Sequence, residues 1–339
     1  MTEETPLNIF QQQDANRRRT ALLIVCFVLF FAWLGFGGDY IYSLFTAHAP
    51  PAQQHHVWWF GCVMLGLGAV LAWYAYRTGP EKVLWATGAE EIIEPADEGQ
   101  KQLVNVVEEM AIAAGVPRPR IWIVPDPDPN AFATGNDLEH AHVAVTRGLL
   151  EVCNRDELQA VIGHELGHIK NLDVRLMTTL AALVGAVLLI WNGTSRTFVD
   201  GRGGGGRGGR KSDLGPLAIV LLVIWIVSWI LAPLITQLLA VAVSRKREYL
   251  ADAMGAQFTR NPLALARALE KIEAAGAPTT RIKSGAAHMC IADPLGRRLS
   301  DREGMLADVL ATHPPMAKRI AILKGMGYAQ RKREEGAIP

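Results

Sequence analysis

Two long apolar stretches near the amino terminus dominate the hydrophobic pattern of the chain. Residues 20–36 and 57–76 contain no charged side chain, and each is about as long as the run of roughly 20 apolar residues that a helix needs to cross a bilayer. The pattern therefore predicts two membrane-spanning helices. A signal peptide is the alternative for the first run, but the cleavage-like "AHA" at 47–49 lies too far from the apolar core.

The distribution of basic residues around this pair predicts its orientation. Three arginines occupy positions 17–19, the connection at 37–56 has no lysine or arginine, and basic residues resume at Arg77 and Lys82. Cytosolic flanks of membrane helices are enriched in lysine and arginine. We therefore expect the amino terminus and the residues that follow the second helix to lie in the cytosol.

A second apolar pair occurs in the middle of the chain, at 176–191 and 217–243, around a glycine- and arginine-rich loop at 192–216. If both runs cross the membrane, this loop lies outside, yet it carries five basic residues against two acidic ones, contrary to the usual tendency. The first run is also short, so the pair could instead dip into the membrane from the cytosolic side. We adopt four membrane helices as the prediction, with the shallow hairpin as the alternative.

The remaining segments predict a soluble domain that the second hairpin interrupts. A helix is expected near 99–115, strands at 120–125 and 142–146, and mainly helices afterwards. The predicted fold class is therefore α+β, mainly helical, with a small β-sheet, fused to about four transmembrane helices. The predicted boundaries are a cytosolic tail at 1–19, an apolar hairpin at 20–76, a first soluble part at 77–175, a second apolar hairpin at 176–243 and a second soluble part at 244–339.

Composition narrows the classes of function. Half of the 339 residues are hydrophobic, and 34 basic against 33 acidic residues give a formal net charge of +1, so the chain as a whole does not attract nucleic acid. The GRGGGGRGGR segment of the loop lacks the interleaved aromatic residues of a nucleic-acid-binding sequence and is interpreted as a linker. Four cysteines without a CxxC pair favour reduced, packed thiols over a disulfide.

The sequence NRDELQAVIGHELGHIK, which begins at Asn154, carries the strongest chemical signal. Asn154 with Glu157 three positions later is a capping-box pattern, which predicts that a helix begins here. On that helix His164 and His168 are four positions apart, so both imidazoles project from one face and are able to bind one metal ion. Glu165 lies on the adjoining face, near a metal-bound water. Histidines that merely pack or face solvent are the alternative, and a third ligand would decide against it.

Glu248 is the candidate for that third ligand. It lies in SRKREYLADAM, directly after the last apolar run, and Asp252 follows it four positions later. On a helix the two carboxylates share a face, so Glu248 is able to bind the metal while Asp252 accepts the N–H of a ligating imidazole and fixes its orientation. Alone, such a pair is typical of a solvated helix face. Together with the histidine motif, it favours a zinc site with three protein ligands and one open position.

Four motifs in order give the chain a close resemblance to a known family. They are NAFATG at 130–135, HELGH at 164–168, SRKREYLAD at 244–252 and THPPMAKRI at 312–320. With the apolar pairs before and between them, the chain resembles the HtpX heat-shock membrane proteases, which are related to the CAAX prenyl endopeptidases. The resemblance implies a zincin-like, gluzincin-type zinc endopeptidase at the cytosolic face of the bacterial inner membrane, acting on misfolded or unassembled membrane proteins in quality control.

This interpretation gives each motif residue a role. His164, His168 and Glu248 hold one Zn²⁺ per chain, and Glu165 takes the proton of the attacking water and returns it to the leaving amine. Asp252 positions a ligating imidazole. The expected partners are unfolded or membrane-protein polypeptides and the lipid bilayer, without nucleic acid, and the oligomeric state is left open.

Two further roles are predicted around the cleft. His313, held by the prolines that follow it, is a candidate donor to the reaction's oxyanion, and a helix cap is the equal alternative; Arg319 and Arg247 are other sources of positive charge. The segment from Asn130 to Gly135 resembles the family's substrate-side segment, so an extended peptide is expected to bind along its backbone by strand addition. The predicted substrate-binding residues are Asn130, Ala131, Phe132, Ala133 and Thr134, with Phe132 equally compatible with the core.

Three alternative functions can be compared with the sequence. A transporter would carry ionisable groups at membrane depth, and the four apolar runs carry none. An inactive scaffold would be expected to lose Glu165 or a ligand, and the chain keeps them. A prenyl-peptide protease would need a larger set of membrane helices than the four predicted here.

Overall fold

The computed structural model describes residues 9–47, 50–51, 58–185, 226, 245–275, 279, 281–282, 289–292 and 314–336. The chain divides into two compact units. The first unit contains Met1–Thr20, Arg77–Ala181 and Leu238–Pro339, and the second contains Ala21–Tyr76 and Ala182–Gln237.

Two long helices, α1 (Ile9–Thr46) and α2 (Trp59–Thr87), correspond to the first predicted apolar pair. Their most apolar windows have mean hydropathies of 2.4 and 1.5, and both helices are long enough to cross a membrane. Each helix is longer than its apolar run, and α1 begins before the basic residues at 17–19. Two candidate membrane helices are therefore present among the described residues.

The second predicted apolar pair is described only in part. Residues 173–185, named α6 here, are helical and include the beginning of the third apolar run. The remainder of that run and the fourth run, apart from Ile226, lie outside the described residues. The prediction of four membrane helices therefore stays a prediction.

Within the second unit, α1 and α2 approach closely through glycines. A side chain at Gly35 would collide with the Cβ of Met64, and one at Gly61 would collide with the ring of Phe36. Asp39, buried in α1, accepts a hydrogen bond of 2.7 Å from the backbone N–H of Gly61. This contact satisfies one of the amide groups that every helix leaves unbonded in its first turn.

A four-stranded mixed sheet lies in the first unit. Its strands are β1 (Glu90–Glu91), β2 (Arg120–Val124), β3 (Ala131–Gly135) and β4 (Ala141–Thr146), in the spatial order β1-β2-β4-β3. β2 and β4 are parallel, and the other two pairs are antiparallel. The strands predicted near 120–125 and 142–146 are β2 and β4, and the helical protein with a small sheet that the sequence predicts is confirmed. β3, which lies at one edge, was not predicted as a strand.

Six described helices and the first part of α6, up to Ala181, complete the first unit, in addition to the start of α1 and the end of α2. They are α3 (Glu98–Ala114), α4 (Arg147–Val152), α5 (Arg155–Lys170), α6 (173–185), α7 (Arg245–Thr259), α8 (Pro262–Ala275) and α9 (Met316–Gly336), with α6 continuing to the limit of the described segment. The predicted capping box begins α5: the Asn154 side chain accepts from the N–H of Glu157, and the Glu157 side chain accepts from the N–H of Asn154. It fixes the start of the helix that carries both histidines.

The core of the first unit surrounds α5. Ala160, Val161, Ile162, Leu166 and Ile169 of this helix are fully buried in one cluster with residues of α3, the sheet and α8. A helix that is apolar on nearly every side must be covered on every side. The polar side chains that α5 carries among these residues are thereby placed in a water-poor interior.

Glycines set the distance between α5 and α7. A Cβ on Gly255 would lie 2.9 Å from the backbone nitrogen of His164, and one on Gly163 would lie 3.3 Å from the Cα of Gly255. The two backbones are therefore in direct contact. This contact brings the first turn of α7, which contains Glu248, beside the histidines of α5.

Candidate metal centre and active site

The three predicted ligands meet at one point. Nε2 of His168 lies 3.2 Å from Nε2 of His164 and 3.4 Å from Oε1 of Glu248, and Nε2 of His164 lies 3.7 Å from Oε2 of Glu248. One ligand atom from each residue lies within 4.8 Å of the others. Side chains some eighty positions apart in the chain thus converge, as the sequence predicts.

These separations fit a tetrahedral metal site. Four ligands at about 2.0–2.1 Å from a zinc ion lie roughly 3.3 Å from one another. The two Nε2 atoms are 3.2 Å apart, and each has one carboxylate oxygen of Glu248 beside it, at 3.4 and 3.7 Å. Each histidine turns its Nδ1 atom towards a carboxylate. A proton on Nδ1 leaves the lone pair of Nε2 directed at the common point, which is the tautomer that a metal requires.

Asp252 holds the first imidazole, and Arg319 holds Asp252. Oδ1 of Asp252 lies 2.9 Å from Nδ1 of His164, although the contact is poorly aligned for a hydrogen bond. The fully buried Arg319 donates two hydrogen bonds to Asp252, from Nε at 2.8 Å and from Nη2 at 2.7 Å, and a third to the carbonyl of Ile291. Burial alone would raise the pKa of Asp252, but the charge and hydrogen bonds of Arg319 lower it to about 2.

Arg319 therefore has a structural task that the sequence did not reveal. Its Nη1 also lies 3.4 Å from Oε2 of Glu248. The same guanidinium therefore neutralises the charge of Glu248, a proposed metal ligand, and that of Asp252, the carboxylate beside the proposed ligand His164. In the sequence analysis, Arg319 and Arg247 are alternative sources of positive charge near the oxyanion. Arg247 lies with Nη1 3.7 Å from Oδ1 of Asp173, and the described contacts place both guanidinium groups against carboxylates.

Asp173 holds the second imidazole and was missed by the sequence reasoning. Its Oδ2 lies 3.1 Å from Nδ1 of His168. Helix α5 ends at Lys170, and Leu172, with φ of 57°, turns the chain so that α6 begins at residue 173. The only signal in the sequence is an aspartate five positions after His168, and helical spacing does not predict a contact at that distance.

Glu165 combines deep burial with an unsatisfied carboxyl group. It is 1% exposed, and among the described residues only the backbone of Ala133 lies close enough to interact with its carboxyl oxygens as a hydrogen-bond donor, in a poorly aligned contact. Burial raises the pKa of the carboxyl to about 8, and the neighbouring Glu248 adds to this, whereas His168 and Arg319 act in the opposite direction. A carboxyl whose pKa lies near neutrality is suited both to accept and to return a proton.

A small cleft, open to solvent, borders these groups. Glu165, His168 and Glu248 form its polar side. Val174, Met177 and Met289 form its apolar lining, called the apolar wall here. The arrangement places an acid–base group, two proposed metal ligands and an apolar surface around one space.

Comparison with known proteins identifies the family of the chain. The family model of Peptidase family M48 matches residues 97–327. The chain belongs to peptidase family M48. The M48 peptidase is 39% identical over 333 residues to a Protease HtpX homolog of Caldanaerobacter subterraneus subsp. tengcongensis, covering 96% of this chain and 99% of that protein. It is 37% identical over 319 residues to a Protease HtpX homolog of Lactobacillus acidophilus, covering 94% and 100%.

The chain is also similar to a solved structure. The crystal structure of S. mikatae Ste24p has a TM-score of 0.45 and 18% identity, covering 90% of this M48 peptidase and 66% of that chain. The family match and the full-length relatives confirm the predicted resemblance to HtpX proteases and the predicted metallopeptidase class. The protein is thus a metal-dependent peptidase that carries candidate membrane helices.

The predicted substrate segment is β3, and its residues lie in different surroundings. Phe132 is fully buried in a cluster with Leu84 and Cys290, so it belongs to the core. The carbonyl of Ala131 accepts a hydrogen bond of 2.9 Å from the N–H of Ile291, which occupies that part of the outer edge. Ala133 lines the cleft. Peptide binding along β3 therefore stays a prediction that concerns the edge at Ala133 and beyond.

The other two residues of this segment hold the strand in place. Asn130 donates from Nδ2 to the carbonyl of Ala292 at 2.9 Å. The hydroxyl groups of Thr134 and Thr178 lie 2.9 Å apart. Both residues are fully buried, so they fix β3 and do not border the cleft.

His313 lies outside the described residues, and its predicted role stays a prediction. The described segment resumes at Pro314, and α9 begins at Met316. The carbonyl of Pro315 accepts from the backbone N–H groups of Lys318 and Arg319. Those contacts belong to the first turn of α9 and fix the helix that delivers Arg319 to the metal centre.

Proposed function

We propose that this M48 metallopeptidase is a membrane-anchored zinc endopeptidase that cleaves exposed segments of misfolded or unassembled membrane proteins. The observation that carries the proposal is the convergence of His164, His168 and Glu248 on one point, with the carboxyl of Glu165 in the same cleft. Two imidazoles and one carboxylate are a common ligand set of catalytic zinc, which keeps a further position open for water or substrate.

Different residues of the chain have different roles in the proposed hydrolysis. Zinc held by the three ligands would supply Lewis acidity towards the scissile carbonyl and an acidified water. Glu165 accepts the proton of the attacking water and delivers it to the amine that leaves, so that no covalent acyl-enzyme is needed. Asp252 and Asp173 keep the two imidazoles in one tautomer and one orientation.

Metal removal tests the proposal directly. The protein purified in detergent is expected to contain about one zinc per chain and to cleave casein, and treatment with a chelator is expected to abolish both. Elemental analysis gives the zinc content, and release of labelled casein fragments gives the activity. Adding zinc should restore cleavage. A protein that keeps full activity after its metal has been removed would refute the zinc mechanism.

The apolar wall of the cleft supports the proposed class of substrate. Val174, Met177 and Met289 offer a surface for an apolar side chain beside the reactive groups, and methionine adapts to side chains of different shape. Unfolded polypeptides and unassembled membrane segments expose many apolar residues. Broad recognition of such residues suits an enzyme that removes damaged proteins.

A charge in the apolar wall should therefore change substrate preference. Met177→Asp is expected to lower kcat/KM for peptides with leucine or phenylalanine beside the scissile bond about 10-fold or more, because the new carboxylate must be desolvated against an apolar side chain. Fluorogenic peptides that differ at this one position measure the effect. Met326→Asp, the same change on an exposed position of α9, is the control. Equal effects of both substitutions would remove Met177 from substrate recognition.

The proposed location is the bacterial inner membrane, with the first unit in the cytosol. The basic residues at 17–19 and the uncharged apolar core of α1 support this orientation. The proposed partners are accordingly the bilayer and polypeptides that are accessible from the cytosol. Four membrane crossings, the arrangement we propose, would place the loop at 192–216 outside the cytosol.

Chemical labelling on intact cells tests this topology. In a chain without its native cysteines, Ser212→Cys is expected to react with an impermeant maleimide, whereas Glu335→Cys on α9 should react only after lysis. Mass shift on a gel measures both. Protection of the cysteine at 212 in intact cells, with reaction after lysis, would favour the shallow hairpin on the cytosolic side.

A further inference from the structure

The beginning of α1 reaches the proposed metal centre. Asn16, which is 1% exposed, donates from Nδ2 to Oδ1 of Asp173 at 2.7 Å and to the backbone carbonyl of Asn171 at 3.0 Å. One turn earlier, Gln13 donates from Nε2 to the carbonyl of Lys170 at 2.7 Å. The first unit includes the chain up to Thr20, so these contacts lie within that unit.

The contact of Asn16 with Asp173 lies directly behind a proposed zinc ligand. Asp173 turns Oδ2 to Nδ1 of His168, at 3.1 Å, and Oδ1 to the amide of Asn16. Arg247 lies with Nη1 3.7 Å from Oδ1. The carboxylate is thus held on one side by α1 and presents its other oxygen to the imidazole.

We propose that Asn16 is a positioning residue of the metal centre: it fixes Asp173 and, through Asp173, the ring of His168. The inference rests on the proposed zinc site. It means that α1, the helix that continues as a candidate membrane span, also completes the metal centre. Retention of the metal then depends on the amino-terminal helix being docked on the end of α5.

The amide group suits this position because it has two N–H donors. At Asn16 they serve a carboxylate and a backbone carbonyl at the same time. A leucine of similar volume has no donor, so it would leave a buried carboxylate oxygen with fewer hydrogen bonds. Loss of a group that orients a ligating histidine typically weakens metal binding about 10–100-fold.

The chain offers a matched control on the same helix. Gln13 also bonds α1 to the carboxyl end of α5, but its partner is the backbone of Lys170, and no described hydrogen bond joins it to Asp173. Gln13→Leu therefore removes a docking contact and spares the carboxylate. Comparing it with Asn16→Leu separates the positioning role from simple attachment of the helix.

The experiment measures zinc affinity in the full-length protein in detergent, by competition with a chromogenic chelator. Asn16→Leu is expected to raise the zinc dissociation constant about 10–100-fold, and Gln13→Leu to change it less than about twofold. In an Asp173→Ala background, Asn16→Leu should add little, because the residue through which it acts is absent. Asn16→Ser, which shortens the side chain, serves if the leucine variant does not fold.

Two results would overturn the inference. One is an equal effect of the substitutions at Asn16 and Gln13 on zinc affinity. The other is an effect of Asn16→Leu that is as large without Asp173 as with it. Both differ from failure of the proposed function, in which the unaltered protein itself would bind no zinc and cleave no casein.

Discussion

Glu165→Gln is expected to abolish cleavage of casein while the protein keeps its zinc. The amide has nearly the shape of the carboxyl but cannot accept the proton of the attacking water, and general acid–base catalysis of this kind contributes about 10²–10⁴-fold to the rate. Glu165 is not among the three residues whose ligand atoms converge, so metal binding should survive. Rates of peptide cleavage and elemental analysis of the same sample measure the two expectations.

The control for this substitution is Glu151→Gln, the same chemical change at an exposed position of α4, which should leave both quantities unchanged. Cleavage by the Glu165 variant at the unaltered rate would remove the residue from the proton-transfer role. Loss of zinc in that variant would instead show that Glu165 takes part in holding the metal.

Arg319→Leu is expected to destabilise the protein by about 3–5 kcal/mol, because it leaves buried carboxylates without their counter-charge. Arg319 is fully buried, donates two hydrogen bonds to Asp252 and lies 3.4 Å from Glu248. For a domain of this size, such a loss corresponds to a fall in melting temperature of roughly 10 °C. Thermal unfolding in detergent, followed by circular dichroism, measures it.

The surface pair of Arg155 with Glu109 provides the comparison, since both side chains are about half exposed and exposed pairs contribute only about 0–1 kcal/mol. Arg155→Leu should therefore barely move the melting temperature. A similar small effect at Arg319 would mean that the buried pair contributes no more than an exposed one.

The buried pair also has an expected pH dependence. The pKa of Asp252 is lowered to about 2 in the folded protein, below its unfolded value of about 3.9. Its contribution to the free energy of unfolding is therefore complete above about pH 4 and is lost as the pH falls towards 2. In the Arg319 variant this part of the acid dependence should shrink.

Much of the proposed metal centre follows from spacing in the sequence. The capping box starts α5 at the expected place, and the i, i+4 rule puts His164 and His168 on one face. Glu248 and Asp252 follow the same rule on α7, and the structure brings both towards the histidines. These residues could be predicted because regular helices turn sequence distance into spatial distance.

The supporting residues could not be predicted in this way. Asp173 reaches His168 only because Leu172 adopts a left-handed conformation, and Arg319 and Asn16 act on partners 67 and 157 positions away. Each is a polar residue on a helix, and no periodic pattern distinguishes it from a solvent-facing one. Such pairings arise from the packing of whole elements, which local sequence does not encode.

The glycine contact between α5 and α7 bears on which ions the site accepts. Gly255 touches the backbone at His164, so the positions from which the proposed ligands project are fixed by two main chains in direct contact. Two imidazole nitrogens at this spacing do not suit a large ion such as calcium, which needs six to eight oxygen ligands at 2.3–2.6 Å. Selectivity for a small, four-coordinate ion is then a property of the spacing of the two helices as much as of the ligands they carry.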